Sequence, residues 1–351
     1  MARADPIAAP IEIGGQSIRA GQRMRVDVPL PSLFTQTAVY LPVHVVHGRR
    51  PGPRLFLTAA VHGDEINGIA IIRRLLESAS LKSLRGTLVA VPVVNVYGFI
   101  RHSRYLPDRR DLNRSFPGSG VGSMAGRLAA TLMTEVVADS DIGIDLHTGA
   151  AHRENLPQIR AQLDEPGVLE LARAFGAPVM LNSELRDGSL RGEAGVIGVP
   201  VLVYEAGEAL RFDELSIRAG VRGVLGVMRH IGMLRESSRR SRQEAEPVIA
   251  RSSSWARAHQ SGMLRFLKPL GARVQKGERL AAIADPFGID EEPVPSPTSG
   301  IVIGRVNLPL VTEGEALFHI ARFGQTAVAA ETVERFQNLL DPDDDLSEPI
   351  D

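Results

Sequence analysis

Apolar runs of strand length alternate along this chain with segments of helical periodicity. Four runs rich in Val, Ile, Leu and Ala read as buried strands: 55–61, 88–95, 141–149 and 199–208. Between or after them, four segments repeat apolar residues at the spacing of one helix face: 66–78, 123–138, 165–176 and 212–234. Strand, helix and strand in succession form the parallel crossover unit. We therefore predict an α/β fold with a mixed, largely parallel central sheet and helices on both faces.

The pattern changes near residue 235. Residues 235–246 are polar and aperiodic, as in a linker, and 249–321 break into short strands with Gly turns, which predicts an all-β module. The end of the chain has a short helical pattern and then an Asp-rich stretch that we expect to be disordered. The predicted domains are an N-terminal β segment (1–40), a main domain (41–240), a β-rich module (249–325) and a partly disordered tail (326–351).

Composition narrows the class of protein. The chain has 351 residues, 44% of them hydrophobic, which suffices for a full core, and a formal charge of -1 gives no sign of a nucleic-acid or membrane partner. It has no cysteine, so disulfides and thiolate zinc sites are excluded. Because the N-terminus lacks the apolar core of a secretion signal, we expect a cytoplasmic protein.

Histidines and carboxylates follow the predicted strands. His62 and Glu65, in His62-Gly63-Asp64-Glu65, come after the first strand, and His147 ends a later one. Strand ends of an open α/β sheet can converge, and His nitrogens with a carboxylate oxygen suit zinc. The alternatives are a surface turn before a helix and a structural histidine. Asp145 would either orient His147 or be a buried carboxylate with its own partner.

Glu205 ends a third strand at the same predicted edge, where a carboxylate facing a metal-activated water can act as general base. Glu208 competes for this role, and a plain surface strand end is the alternative.

The long aperiodic segment 96–122 adds Asn113 and five arginines, namely Arg101, Arg104, Arg109, Arg110 and Arg114. Such a loop suits an anionic substrate, the alternative being a solvated basic loop.

His62-Gly63-Asp64-Glu65, Asp111-Leu112-Asn113-Arg114, Asp145-Leu146-His147-Thr148-Gly149 and Glu205-Ala206-Gly207-Glu208 occur in this order. With them the chain resembles the succinylglutamate desuccinylase/aspartoacylase family, which has a zinc carboxypeptidase-like fold. The resemblance implies that 41–240 is a zinc hydrolase domain in which His62, Glu65 and His147 bind one Zn²⁺. It further implies that Glu205 is the general base, which later protonates the leaving amine.

The same resemblance implies that Asn113 and Arg114 hold the substrate carboxylate and that Arg104 polarises the scissile carbonyl. Arg104 lies nine residues before Asn113, a longer gap than the family leads us to expect, so Arg109 is a rival. Arg186 and Arg191 both qualify for binding an acidic acyl group. We expect a zinc-dependent amidohydrolase that cleaves the amide of an N-acylated amino acid of the N-acetyl or N-succinyl type.

Two other functions are kept as alternatives: a zinc carboxypeptidase acting on peptides, and a non-catalytic binding protein on the same fold. The expected partner is a small molecule, with a homo-oligomer possible.

The β-rich module resembles the biotinyl/lipoyl-type barrel, but residues 284–300, between its halves, contain no lysine. We expect a barrel-like module without a prosthetic group, bordering the active-site mouth or an oligomer contact.

Overall fold

The computed structural model describes residues 6–236 and 246–340. Its helices are α1 (Asn67–Glu77), α2 (Val96–Ile100), α3 (Met124–Leu132), α4 (Val168–Phe175), α5 (Leu190–Val196), α6 (Glu214–His230) and α7 (Thr326–Leu339). Short 3-10 turns cover Ala79–Ser83 and Leu112–Arg114, and a π-helical turn, Met133–Val137, continues α3.

The strands are β1 (Ile11–Ile13), β2 (Gln16–Ile18), β3 (Arg23–Leu30), β4 (Val39–His47), β5 (Arg50–Ala59), β6 (Arg85–Val91), β7 (Ile142–Gly149), β8 (Arg153–Ala161), β9 (Val179–Asn182), β10 (Val201–Glu208), β11 (Val248–Ala250), β12 (Ser252–Arg257), β13 (Gly262–Phe266), β14 (Arg273–Val274), β15 (Arg279–Ala284), β16 (Glu291–Pro295), β17 (Gly300–Val306), β18 (Leu310–Val311) and β19 (Ala316–Arg322).

One sheet of 13 strands dominates the molecule, with the order β12-β19-β17-β8-β10-β7-β5-β6-β4-β3 along its main path. The central strands β6, β5, β7 and β10 are parallel, and antiparallel pairs flank them on both sides. Helices α1, α4 and α6 pack on one face, whereas α3 and α5 pack on the other. The predicted mixed α/β fold with helices on both faces is therefore confirmed.

The central strands are apolar because both of their faces are covered. Residues 55–59 at the end of β5 and residues 143–149 of β7 are all buried, as expected for parallel strands between helix layers. On one layer, Arg74 of α1 donates two hydrogen bonds, of 2.7 and 2.8 Å, to the carboxylate of Glu214 on α6. This ion pair links the two helices that cover the same face of β5 and β7, whose register is set by their own parallel pairing.

The C-terminal strands divide between two sheets. β17 pairs with β8 and is followed by β19 and β12, so the main sheet runs on into the C-terminal part. β13, β15, β16 and β18 form a separate four-stranded antiparallel sheet. The predicted strands are present, but a barrel-like module is not confirmed. The domain boundaries stay a prediction.

Other sequence predictions need correction or fall outside the described residues. We did not predict β8. The segment 96–122, predicted as aperiodic, contains α2 and the turn Leu112–Arg114. Most of the predicted linker (237–245) and the acidic end (341–351) lie outside the described residues. Within the described part of the chain, no helix is both long and apolar enough to span a membrane.

Candidate metal centre and substrate cavity

His62, Glu65 and His147 lie together at the carboxyl ends of β5 and β7. β5 and β7 are adjacent and parallel, so the turn after β5, which carries His62 and Glu65, meets the end of β7, which carries His147. One ligand atom from each lies within 4.8 Å of the others, and all three side chains are buried. Gly63 permits this turn, since a Cβ there would lie 2.2 Å from the backbone of Gly98 and Phe99.

The carboxylate of Glu65 stands between the two imidazoles. His62 Nδ1 lies 2.7 Å from Glu65 Oε1, and His147 Nδ1 lies 2.7 Å from Glu65 Oε2. The far ring nitrogens contact other carboxylates, with His62 Nε2 3.2 Å from Asp111 Oδ1 and His147 Nε2 2.6 Å from Asp145 Oδ2. In metal-binding histidines, the ring nitrogen that does not bind the metal commonly forms a hydrogen bond to a carboxylate, which fixes the orientation of the ring. The donor set therefore fits one divalent ion.

Charge coupling links the three groups. Burial alone would lower the pKa of both imidazoles, but the negative charge of Glu65, with Asp111 beside His62 and Asp145 beside His147, raises both pKa values. Burial acts to raise the pKa of Glu65, yet the two imidazoles lower it well below its usual range. A metal ion requires the carboxylate in its charged form and both imidazoles in their neutral form, so metal binding would release the protons that the neighbouring carboxylates favour on the histidines.

Arg104 reaches this centre from the segment after α2. Its Nη1 donates to Glu65 Oε1 at 3.2 Å and its Nη2 donates to Asp111 Oδ2 at 3.0 Å. The charges of His62 and Arg104 overcome the effect of burial and lower the pKa of Asp111. The rival Arg109 is exposed, and it does not line the cavity described below.

Glu205 and Glu208 have different surroundings although both lie on β10. Glu205 faces the same cavity as the metal-ligand group. Glu208 instead accepts hydrogen bonds from the backbone N–H of His152 at 3.0 Å and from Asn307 Nδ2 at 2.9 Å, and it is not among the cavity-lining residues. The geometry thus places Glu205, and not its competitor, beside the candidate metal centre.

The cavity has a volume of about 570 Å³ and is strongly cationic. Seven arginines line it: Arg104, Arg114, Arg153, Arg160, Arg186, Arg191 and Arg305. Four carboxylates line it as well: Glu65, Asp145, Glu184 and Glu205. Burial, together with the charges of Arg160 and Arg186, lowers the pKa of Arg191 to about 10. A site that crowds guanidinium groups in this way is suited to a negatively charged ligand.

The other predicted binding residues also reach the cavity. Asn113 Oδ1 accepts a hydrogen bond of 2.9 Å from the backbone N–H of Leu190, which ties the turn Leu112–Arg114 to the start of α5. Arg114 donates to the carbonyl of Asn113. Arg191 donates to the carbonyls of Ser183 at 3.2 Å and Glu184 at 2.7 Å, and Arg186 lines the cavity nearby.

Several cavity residues were missed by the sequence reasoning. Arg153, Asn155 and Arg160 come from β8, whose polar start and internal Pro157 conceal a strand. Trp255, Arg305 and His319 come from the C-terminal strands β12, β17 and β19. His319 interrupts the otherwise apolar run Leu317-Phe318-His319-Ile320, and this buried polar position was a signal that could have been used.

Fold and site together define an α/β protein with a candidate metal centre at the carboxyl ends of its central parallel strands. Residues 51–231 match the family model described as the succinylglutamate desuccinylase/aspartoacylase catalytic domain. The chain belongs to the succinylglutamate desuccinylase/aspartoacylase family, as the motifs predicted.

Individual relatives show the same likeness over most of the chain. N-alpha-acetyl-L-2,4-diaminobutyric acid deacetylase from Halomonas elongata is 27% identical, with 81% of this chain and 84% of that protein covered. The crystal structure of a succinylglutamate desuccinylase/aspartoacylase from Rhodobacter sphaeroides has a TM-score of 0.78 at 26% identity, covering 90% of this chain and 99% of that one. A product-bound structure of the ectoine utilization protein EutE (DoeB) from Ruegeria pomeroyi also has a TM-score of 0.78, at 25% identity, covering 91% and 99%.

Proposed function

We propose that this protein is a zinc-dependent hydrolase that cleaves the amide of an N-acylated amino acid. The observation that carries the proposal is the buried group of His62, Glu65 and His147, with Glu205 facing the same arginine-lined cavity. Family membership and the deacetylase activity named for the Halomonas relative support this reaction class. The cytoplasmic location and possible homo-oligomer remain predictions from the sequence.

The protein groups have separate tasks in this proposal. A zinc ion held by His62, Glu65 and His147 would polarise the amide carbonyl and make water a better nucleophile. Glu205 accepts the proton of the attacking water and returns it to the leaving amine. Arg104 donates hydrogen bonds to the oxygen on which negative charge develops, an interaction of a kind worth ~3 kcal/mol per donor in other hydrolases. The products are a carboxylate and a free amine.

Substrate binding follows from the distribution of arginines. Asn113 and Arg114 bind the carboxylate of the amino acid. Arg186 and Arg191 can bind a second negatively charged group of the substrate. Among the described residues, neither Arg186 nor Arg191 has a carboxylate within ion-pair distance. This excess of positive charge supports an N-acyl amino acid with a negative charge beyond its α-carboxylate, such as an N-succinyl compound or the N-acetyl form of an acidic amino acid.

A substrate panel with zinc-loaded protein tests the proposal. We expect turnover of N-acetyl or N-succinyl amino acids and loss of activity by a factor of at least ~100 in Glu205→Gln. Glu208→Gln is the matched control, because it removes the charge of the neighbouring carboxylate on the same strand, and it should retain most activity. Turnover of peptides alone would support the carboxypeptidase alternative, and full activity in Glu205→Gln would refute the role of Glu205.

A further inference from the structure

The amide of Asn155 lies against the carboxylate of Glu205, where the C-terminal strands join the main sheet. Asn155 Nδ2 donates a hydrogen bond of 2.8 Å to Glu205 Oε2. The other carboxylate oxygen, Oε1, forms an ion pair with Arg160, whose Nε lies 3.7 Å away, a distance too long for a hydrogen bond. Among the described residues, Asn155 is thus the one whose side chain is hydrogen-bonded to this carboxylate.

Two glycines flank Asn155 on the neighbouring strands. On β8 it lies opposite Gly207 of β10 on one side and Gly304 of β17 on the other. A Cβ at Gly304 would lie 2.8 Å from Asn155 Oδ1, closer than such atoms normally approach. The glycine of the C-terminal strand therefore leaves the room that the amide occupies beside Glu205.

We propose that Asn155 is a positioning residue for Glu205 and that Gly304 permits this position, so that a C-terminal strand helps to set the geometry of proton transfer. The inference rests on the proposed function, since it assigns Asn155 a task in the reaction of Glu205. With Oε2 held by the amide, the carboxylate cannot rotate freely, and Oε1 remains directed to accept a proton from water in the cavity. A displacement of about 1 Å at such a group can cost about 100-fold in rate.

Two substitutions at Asn155 separate positioning from general stability. Asn155→Ala removes the donor, and we expect kcat to fall by about 10- to 100-fold while KM stays within about twofold. Asn155→Asp keeps the shape but places a second carboxylate beside Glu205, which disfavours its charged form. We therefore expect the acid limb of the kcat/KM profile to move upward by about one pH unit in Asn155→Asp.

Asn307 provides the matched control. It donates a hydrogen bond of 2.9 Å to Glu208 and so forms the same kind of amide–carboxylate pair near the same strand junction, outside the cavity. Asn307→Ala and Asn307→Asp should keep the wild-type pH profile and kcat. If the Asn307 variants shift the acid limb of the kcat/KM profile as much as Asn155→Asp does, the shift comes from disturbing the strand junction in general, and the proposal is wrong.

Gly304 is tested through a double-mutant cycle. Gly304→Ala should lower kcat by about tenfold, because its methyl group displaces the Asn155 amide. In the Asn155→Ala background the same substitution should have little further effect, since the shortened side chain has no Oδ1 with which the new methyl group could collide. If the loss of kcat in the double variant equals the product of the losses in the two single variants, Gly304 does not act through Asn155.

All variants are compared at equal zinc content and with their thermal melting curves measured. A crystal structure of Asn155→Ala gives a readout apart from activity, in which we expect the Glu205 carboxylate to be rotated or displaced. An unmoved carboxylate, or an unmoved acid limb in Asn155→Asp with active wild-type protein, would overturn the inference and leave the proposed function intact. Absence of N-acyl amino acid hydrolysis by the wild-type protein would instead remove both.

Discussion

At the scale of single residues, the far ring nitrogens of the two histidines decide how well the centre can bind a metal. Asp145 contacts His147 Nε2 and also accepts a hydrogen bond of 2.7 Å from the Thr58 hydroxyl, so its own position is fixed. The two sequence-based interpretations of Asp145 therefore hold together, because one oxygen of this buried carboxylate contacts His147 and the other has Thr58 as its own partner. The buried carboxylate keeps Nδ1 of His147 directed toward Glu65 and the candidate metal position.

Removal of this carboxylate charge should weaken metal binding. We expect Asp145→Asn to bind zinc about 10- to 100-fold more weakly, the usual effect of losing a carboxylate behind a histidine ligand. Competition with a chromogenic chelator measures the affinity directly. Asp139→Asn is the control, because its carboxylate is exposed and lies by Arg54, away from the ligands. Equal affinity in wild-type protein and Asp145→Asn would contradict the role of Asp145 in holding His147 as a ligand, and absence of zinc binding by the wild-type protein would contradict the metal assignment.

His319 should make folding sensitive to mild acid. Burial, aided by the nearby charge of Arg160, lowers its pKa to about 3. As the pH falls below ~6.5, an unfolded chain protonates this histidine while the folded protein does not, so stability is lost progressively toward pH 3. Between pH 7 and pH 5 this amounts to about 2 kcal/mol.

The measurement is urea unfolding at both pH values. His319→Gln should lose about 2 kcal/mol less than the wild type over this interval. His259→Gln, an exposed histidine in the same C-terminal part, should behave as the wild type. A pH dependence in His319→Gln equal to that of the wild type would rule out a buried neutral imidazole as its source.

At the scale of the elements, close backbone contact between helices depends on glycine. A Cβ at Gly226 of α6 would lie 2.2 Å from the carbonyl oxygen of Ala174 in α4, whereas a Cβ at Gly195 of α5 would meet nothing nearer than Leu185 Cδ1 at 3.7 Å. Substitution by alanine should therefore destabilise the fold at Gly226 but not at Gly195.

We expect Gly226→Ala to lower the free energy of unfolding by about 1–3 kcal/mol, since the two helices must move apart. Gly195→Ala should be neutral or stabilising by up to about 1 kcal/mol, because alanine favours the helix. Thermal or urea unfolding measures both. Stability losses of equal size would show that helix separation at Gly226 is not limiting.

The elements also show what could be predicted from the sequence. The ends of β5, β7 and β10 carry His62, His147 and Glu205 at one edge because parallel buried strands have a clear apolar signal. β8 lacks that signal, since Arg153, Glu154 and Asn155 precede Pro157, and its side chains entered the site unpredicted. Arg104 and Arg109 could not be separated by sequence, because their difference depends on how the segment after α2 folds.

At the scale of the whole molecule, charge is distributed unevenly. The chain has a formal charge of -1, yet seven of its arginines line one cavity. Rising salt should therefore lower kcat/KM more for an N-succinyl amino acid than for the N-acetyl form of the same neutral amino acid, by several-fold between about 20 and 500 mM. Steady-state kinetics at several salt concentrations measures this, and equal salt dependence for both substrates would argue against a second anion site.

Continuity of the main sheet was not predictable from the sequence. The pairing of β8 with β17 joins residues about 150 positions apart, and neither strand carries a local signal that identifies its partner. As a consequence, C-terminal residues such as Trp255 and His319 line the cavity. From the sequence, the C-terminal module is expected to border either the active-site mouth or an oligomer contact.

Trp255 is the single tryptophan of the chain, and its ring stacks on that of His319 with centroids 4.4 Å apart in the cavity wall. The intrinsic fluorescence of the indole therefore originates beside the place where a ligand would bind. Titration or rapid mixing can follow ligand entry and release in the native protein, without a dye and without a chromogenic substrate.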